Sequence, residues 1–359
     1  MVRDSILTAF PEFDSDIAPL PMRIKIEITT RCNLACRFCG RAAALESYLK
    51  RHSMLSDRNL FLESPCFGHD MSLTEFQQVL MDLPQVQEVD LQGIGEPLIN
   101  PEAQAMIKWA GQRGIRVIFT TNGTLLTARV AQTLITSNVR QITVSVDGAT
   151  PATYSFIRRG STLRVVIKNI KRLAEMRASV KATTPRIRLA IVLTRHNVSE
   201  LPDLIDLAKR CSADTVTCAA LKPIVPALAD WVPEGSVVQR SVVEAANRAA
   251  TLGIEFECEV ALPVMPQDEK ISTRSICAWP WLSAMVTADG YITPCCYVTD
   301  PRVYNLGHIR DKPFTIIWEG PRYQDFRRRL REGDTTNLPC HTCYDHVGLS
   351  QNVREDVNK

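Results

Sequence analysis

Three cysteines, Cys32, Cys36 and Cys39, lie in the run TTRCNLACRFCG with the spacing Cys-x3-Cys-x2-Cys. Thiolates are soft anionic metal ligands, so a set this close can converge on one centre. A closed zinc site needs a fourth protein ligand, and the nearest histidine, His52, follows Cys39 by thirteen residues. A cubane iron-sulfur cluster on three thiolates would instead keep one iron open, which makes it a reactive centre. A second set comprises Cys277, Cys295 and the pair Cys340-x2-Cys343. The pair supplies two ligands from one turn, and a hairpin from AMVT through Asp289 and Gly290 into YITP brings in others. Four thiolates saturate either a cluster or a zinc ion. Cys296 is an alternate ligand, an inert neighbour, or a thiol able to return a hydrogen atom to a substrate radical. Cys66, Cys211, Cys218 and Cys258 read as small buried hydrophobes.

The rest of the 359-residue chain must position these thiols. Its composition, 45% hydrophobic and 23% charged, permits a packed core and excludes a disordered or fibrous chain. Lys plus Arg exceed Asp plus Glu by 42 minus 39, or +3, which gives no reason to expect a nucleic-acid partner or a membrane surface. No apolar run is long enough to span a bilayer, and MVRDSILTAFPEFDSD lacks a secretory pattern. A cytoplasmic protein is expected, in which close-spaced thiols bind metal more often than they form disulfides.

Strands and helices alternate. RIKIEIT at 23–29 places Ile24, Ile26 and Ile28 on one face, a strand pattern. Ser72 and Glu75 form a capping box before the helical run 76–83. Further strands are expected at 86–92, 116–121, 141–146, 187–194 and 215–222, with helices at 101–113, 127–136, between 151 and 178, and at 199–211. Such alternation predicts parallel pairing through right-handed crossovers, and six units are too few for an eight-fold barrel. The expected fold is therefore α/β, an open or partial (β/α)6 barrel over 23–225 after an N-terminal extension, 1–22. Residues 43–71 are an insertion, 226–276 a connecting segment, 277–346 a small cysteine-rich domain and 347–359 a tail. A helix containing FRRRLRE carries Arg327, Arg328, Arg329 and Arg331, which would attract an acidic electron donor such as flavodoxin but are read as a solvated face.

Cys32, Cys36 and Cys39, with aromatic Phe38 before the third, resemble the signature of the radical S-adenosylmethionine (SAM) enzymes. The resemblance runs over roughly 20–225 and implies a partial six-stranded barrel with the cluster loop after strand one. It implies a 4Fe-4S cluster whose open iron is chelated by SAM, and a 5'-deoxyadenosyl radical that abstracts hydrogen from substrate. Gly93, Gly95, Glu96 and Pro97 resemble the motif that holds the SAM amino group. Asn122 closes strand three, while Ser145, implied to contact the ribose, and Asp147 close strand four. Arg158, with Arg159 beside it, resembles an arginine that pairs the SAM carboxylate, and Val192 and Asn197 bracket an adenine pocket lined through backbone.

The second cysteine set resembles the SPASM and Twitch auxiliary-cluster domains. Because no cysteine follows Cys343 in YDHVGLSQNVREDVNK, the one-cluster Twitch form is the expectation, giving two 4Fe-4S clusters in all. An auxiliary cluster can accept an electron, so the resemblance points to the 2-deoxy-scyllo-inosamine dehydrogenase type of antibiotic biosynthesis. It implies oxidation of a secondary alcohol on a sugar, cyclitol or nucleoside. Epimerisation using Cys296, dehydration, decarboxylation or peptide modification are the alternatives, and a zinc-binding scaffold the non-enzymatic one. Candidates for proton transfer are Glu27, Gln92, Arg188 and Lys222 at strand ends, where burial lowers a lysine pKa. A flavodoxin or ferredoxin electron donor is expected.

Overall fold

The computed structural model describes residues 15–41, 68–222, 226–259, 277–298 and 300–343. Cys66, His52, most of the 43–71 insertion and the 347–359 tail lie outside them. The chain begins with β1 (Arg23–Ile26), α1 (Leu73–Met81) and β2 (Glu88–Leu91). It continues with α2 (Ala103–Gln112), β3 (Arg116–Thr121), α3 (Ala128–Thr136) and β4 (Val139–Ser145). Next come α4 (Pro151–Ile157), α5 (Leu163–Ser179), β5 (Arg186–Leu193), α6 (Leu201–Arg210) and β6 (Thr215–Ala220). Then follow α7 (Gly235–Leu252), β7 (Glu255–Cys258), α8 (Trp279–Leu282), β8 (Met285–Val286) and β9 (Tyr291–Thr293). The last elements are β10 (Gly307–His308), α9 (Phe314–Trp318) and α10 (Pro321–Glu332).

Two compact units share these elements. The first draws its described residues from 15–28, 71–93 and 277–343. In it β1 is parallel to β2, with Arg23 opposite Glu88 and Lys25 opposite Asp90. On its other side β1 is parallel to β8, with Lys25 opposite Met285. β8, β9 and β10 then run antiparallel in turn, the hairpin expected at Asp289 and Gly290. Ile24, Ile26 and Ile28 are buried, as the alternation requires. The Ser72 hydroxyl accepts from the Glu75 amide and the Glu75 carboxylate reaches back to the Ser72 amide, closing the capping box of α1.

The second unit holds β3, β4, β5, β6 and β7 in sequence, all parallel. In β5 the alternate residues Ile187, Leu189, Ile191 and Leu193 are buried, and the helices between strands make the crossovers. The fold is α/β.

Residues 235–258, read from sequence as part of a connecting segment, form α7 and β7. The small buried face of α7, Val238, Val242, Ala245 and Ala249, gives a weak apolar signal. Gly253, with φ +65°, ends the helix and turns the chain into β7, a four-residue strand beside β6. The arginine run is a solvated face of surface ion pairs except at Arg327. Arg327 is buried, whereas Arg328 pairs with Asp325 and Glu332, Arg329 with Asp334, and Arg331 with Asp16. Among the described residues no helix is long and apolar enough to cross a membrane.

Candidate cluster and cofactor site

Cys32 and Cys36 are placed by hydrogen bonds that clamp their loop to the end of α4. The amides of Ala35 and Arg37 donate to the carbonyls of Arg159 and Ile157, each at 3.0 Å. Burial pushes the Cys36 thiol up to about 11, against the pull of the Arg158 charge, and Cys39 and Cys32 add to the rise. Burial likewise raises the Cys32 thiol, against a hydrogen bond from the Leu34 amide. The three sulfurs thus sense one another across one loop. Among the described residues no three His, Cys, Asp or Glu side chains stand in position to hold a single metal ion. The donor set, three mutually interacting thiols on one loop, fits the iron cluster of the resemblance.

Glu96 is 2% exposed and bound to its own chain. Its carboxylate accepts from the Thr121 hydroxyl at 2.8 Å, the Asn122 amide at 2.6 Å and the Leu98 amide at 3.2 Å. Burial raises its pKa, while these donors oppose the rise. The carboxylate thereby fixes the end of β3, where the Asn122 side chain bonds Asn33 at 2.9 Å and lies 4.0 Å from the Cys32 sulfur. Gly95 is required by its surroundings, since a Cβ there would strike the Thr29 carbonyl and come 2.7 Å from that of Arg31. Pro97 is buried and opens a short 3-10 turn.

Asp147, fully buried after β4, accepts from the Arg158 Nε and, at 2.8 Å, from the Val192 amide. Burial works against the Arg158 charge, but the Asp147 carboxylate outweighs it and holds the guanidinium ionised. Among the described residues nothing else bonds that guanidinium, so its terminal nitrogens point to no other partner there. Its Cζ stands 5.8 Å from the Phe38 ring centre. Asn197 donates to the Asp147 and Val192 carbonyls at 3.1 and 3.0 Å and accepts from the Thr194 amide at 2.7 Å. Its side chain is therefore a brace for the backbone after β5. Ser145 is half-buried at the end of β4, and Lys222 half-buried just beyond β6. Arg188 is paired with Glu257 at 3.0 Å.

In the first unit Glu27 is 1% exposed and its carboxylate faces Gly93, where any Cβ would strike it. The Ala288 amide donates to it at 3.4 Å. Lys25, missed as a candidate, is buried; it donates to Asp90 at 2.7 Å and to Gln92 at 2.5 Å, with its ammonium 5.6 Å from the Trp279 ring centre. The i, i+2 spacing of Lys25 on β1 and Glu27 just after it was the available signal, since both leave the isoleucine face.

Cys277, Cys295, Cys296, Cys340 and Cys343 gather in the same unit. Burial pushes Cys340 up to about 12, with Cys277 and Cys343 adding to the rise. Burial also pushes Cys295 up to about 12, opposed by the Tyr297 amide and assisted by Cys296 and Cys340. Cys340 links the set, being close enough to sense Cys277, Cys343 and Cys295. The chemistry of four thiols fits a saturated iron-sulfur cluster.

Comparison with known proteins covers both cysteine sets. Residues 277–344 match the SPASM iron-sulfur cluster-binding domain. The tungsten-containing aldehyde ferredoxin oxidoreductase cofactor-modifying protein of Pyrococcus furiosus is 27% identical over 320 residues, 84% of this chain and 82% of that one. The PqqA peptide cyclase of Ruegeria pomeroyi is 24% identical over 343 residues, 92% of this chain and 81% of that one. SuiB of Streptococcus suis bound to S-adenosylmethionine superposes with a TM-score of 0.66 at 18% identity, covering 87% of this chain and 69% of its own, a likeness of fold. Residues 26–208, which carry the three-cysteine loop, Glu96, Asp147 and Arg158, match the Radical SAM superfamily, and the chain belongs to it.

Proposed function

We propose that this radical SAM enzyme, which binds SAM, a 4Fe-4S cluster and auxiliary iron-sulfur chemistry in its SPASM domain, acts on a peptide. The observation that carries the reading is the alignment of the whole two-module chain, 92% of it, with a PqqA peptide cyclase. It favours a peptide over the sugar, cyclitol or nucleoside expected from sequence, and leaves the dehydrogenase type as the lesser reading.

Cys32, Cys36 and Cys39 would hold the SAM cluster, and Cys277, Cys295, Cys340 and Cys343 an auxiliary one. Bound there, SAM and the reduced cluster supply a 5'-deoxyadenosyl radical for hydrogen abstraction. Arg158 would bind the SAM carboxylate, and Asp147 fixes its Nε. Asn122 orients the cluster loop through Asn33, and Glu96 holds Asn122 in place. Phe38, Gly93, Gly95, Pro97, Ser145, Val192 and Asn197 shape the cofactor's surroundings. Glu27, buried at the end of β1, is positioned to hold or accept a proton at a carboxylate oxygen; Lys222 and Cys296 are the other proton and hydrogen-atom candidates.

The test is anaerobic incubation of reconstituted protein with SAM and dithionite against two panels, short genetically encoded peptides and a set of aminocyclitols, sugars and nucleosides. Peptide-dependent 5'-deoxyadenosine together with a changed peptide mass is the expected result. Stimulation by a small alcohol, with a product two hydrogens lighter, would overturn the peptide reading and restore the dehydrogenase.

A further inference from the structure

Cys218 and Cys258 belong to neither cysteine set, and the proposed reaction uses neither. Both lie in the second unit, Cys218 on β6 and Cys258 at the end of β7. The two strands are parallel, with Val216 opposite Phe256, Thr217 opposite Glu257 and Cys218 opposite Cys258. Residues facing one another in such a register project to the same side of the sheet, so the two thiols stand side by side. A hydrogen bond between them is the largest cause that keeps the proton on the Cys218 sulfur, and burial adds to it. The backbone holds this register, since the Glu259 amide donates to the Cys218 carbonyl at 2.8 Å just beyond the last paired residues.

The pair is unequal in access. Cys218 is fully buried, whereas Cys258 is half-buried on β7, which among the described residues is the outermost strand. Cys258 is thus not the small buried hydrophobe expected from sequence. Cys211, in the same unit, is buried after α6, and the charges that act on it are those of Lys171 and Arg210 rather than that of a second thiol. Two thiols are too few for a cubane cluster or a tetrahedral zinc ion. Among the described residues no third His, Cys, Asp or Glu stands in position to complete a metal site with them. Facing residues on neighbouring strands have backbones about 4.8 Å apart, inside the Cα separation of roughly 4.4–6.8 Å that a disulfide spans. The Cβ atoms must close to about 3.8 Å, so β7 has to draw toward β6, and a bond made under such strain is readily reduced.

We propose that Cys218 and Cys258 are a reversible oxidation site, at which a hydroperoxide converts the pair to a disulfide between β6 and β7. Cys258, the accessible sulfur, attacks a peroxide oxygen as its thiolate; the O–O bond breaks, and with hydrogen peroxide the products are a sulfenic acid and one water. The Cys218 sulfur then attacks the Cys258 sulfur, the S–O bond breaks, and the departing hydroxide takes the Cys218 proton as a second water. Two electrons pass from the sulfurs to the peroxide, which is the oxidant. The disulfide ties the outermost strand to its neighbour and leaves both cluster sets with their ligands.

The experiment uses the reconstituted full chain, treated with a small excess of hydrogen peroxide, blocked with iodoacetamide in denaturant and digested without reductant. Mass spectrometry should find the Cys218 and Cys258 peptides joined and two hydrogens lighter than their sum. Dithiothreitol added after the peroxide should return both as alkylated thiols. In Cys218→Ser, Cys258 should be trapped by dimedone as its sulfenic acid, and in Cys258→Ser the Cys218 thiol should survive unchanged. These variants separate the attacking sulfur from the resolving one, and the wild-type digest tests the pair by itself if either variant fails to fold. An unjoined pair after peroxide treatment, or joining of either residue to another cysteine, would overturn the proposal. So would a sulfenic acid on Cys218 in Cys258→Ser as abundant as that on Cys258 in Cys218→Ser. None of these outcomes touches the peptide reading, because neither SAM nor substrate is added.

Discussion

At Asp147 one carboxylate carries two obligations, since it accepts from the Arg158 Nε and from the Val192 amide with no exposure to water. Replacing Asp147 by Asn keeps the shape but leaves Arg158 buried without its counter-charge, a loss worth about 3–5 kcal/mol for pairs of this kind. Asp147→Asn should therefore lower the unfolding midpoint and weaken SAM binding by more than tenfold, read by thermal unfolding and by calorimetry with SAM. Retained SAM affinity would show that Asp147 does not orient Arg158 for the ligand. Replacing Cys32, Cys36 and Cys39 together by Ala should remove one cluster from the iron count and abolish SAM cleavage, while the iron attributable to Cys277, Cys295, Cys340 and Cys343 persists. Spacing alone exposed these cysteines, because ligands on one turn are neighbours in the chain. The partners of Asp147 and Glu96 could not be read so, for Val192 and Thr121 reach them from other strands. Trp231 and His196 escaped notice for the same reason, since a ring cluster assembled from three separated segments has no signature in any one of them.

Helix α1 shows how far local pattern reaches. Its capping box was plain in the sequence and is present, but nothing local announced that Arg310 also pairs with Glu75. Ser72→Ala should cost about 1 kcal/mol, seen as a lower unfolding midpoint. Burial opposes the Glu75 charge, yet the Ser72 amide and the Arg310 guanidinium outweigh it and hold the carboxyl below the unfolded value of 4.5. Its folded pKa is depressed, so the contribution to stability is full above pH 4.5 and disappears as pH falls through the folded value. Unfolding midpoints of wild type and Glu75→Gln should converge as acid removes it. Gly95→Ala drives a methyl group into the backbone carbonyls of Thr29 and Arg31, which cannot rotate away. It should destabilise by about 1–3 kcal/mol and reduce iron retained after reconstitution. Strands β1 to β6 were legible from alternation. α7 and β7 were not, because an alanine-rich face and a short strand with Glu255 and Glu257 paired to Arg186 and Arg188 imitate polar linker.

The first unit as a whole is tied by Arg327. Its guanidinium donates to the carbonyls of Pro280 at 2.9 Å, Asp16 at 3.2 Å and Trp318 at 3.0 Å, and lies 4.3 Å from the Trp318 ring centre and 4.2 Å from that of Tyr323. Burial draws its pKa down to about 10, so it stays protonated through neutral pH. Arg327→Met would leave three carbonyls without their charged donor, each such bond being worth about 1.5–3 kcal/mol. The variant should lose auxiliary iron while the cluster of the three-cysteine loop survives. Equal loss of both would mean that the tie supports the entire protein.

Strand β1 leaves the ribosome long before one of its two sheet neighbours, β8. Until β8 is made, that flank of β1 exposes unsatisfied amides and carbonyls, an open template for another nascent chain. The five parallel strands of the second unit lie wholly in the interval and can pair before β8 emerges. Metal delivery thus acquires an order in time: the loop of Cys32, Cys36 and Cys39 can be loaded while the chain is still growing, and the thiols after residue 276 emerge only once the strands of the second unit have been made.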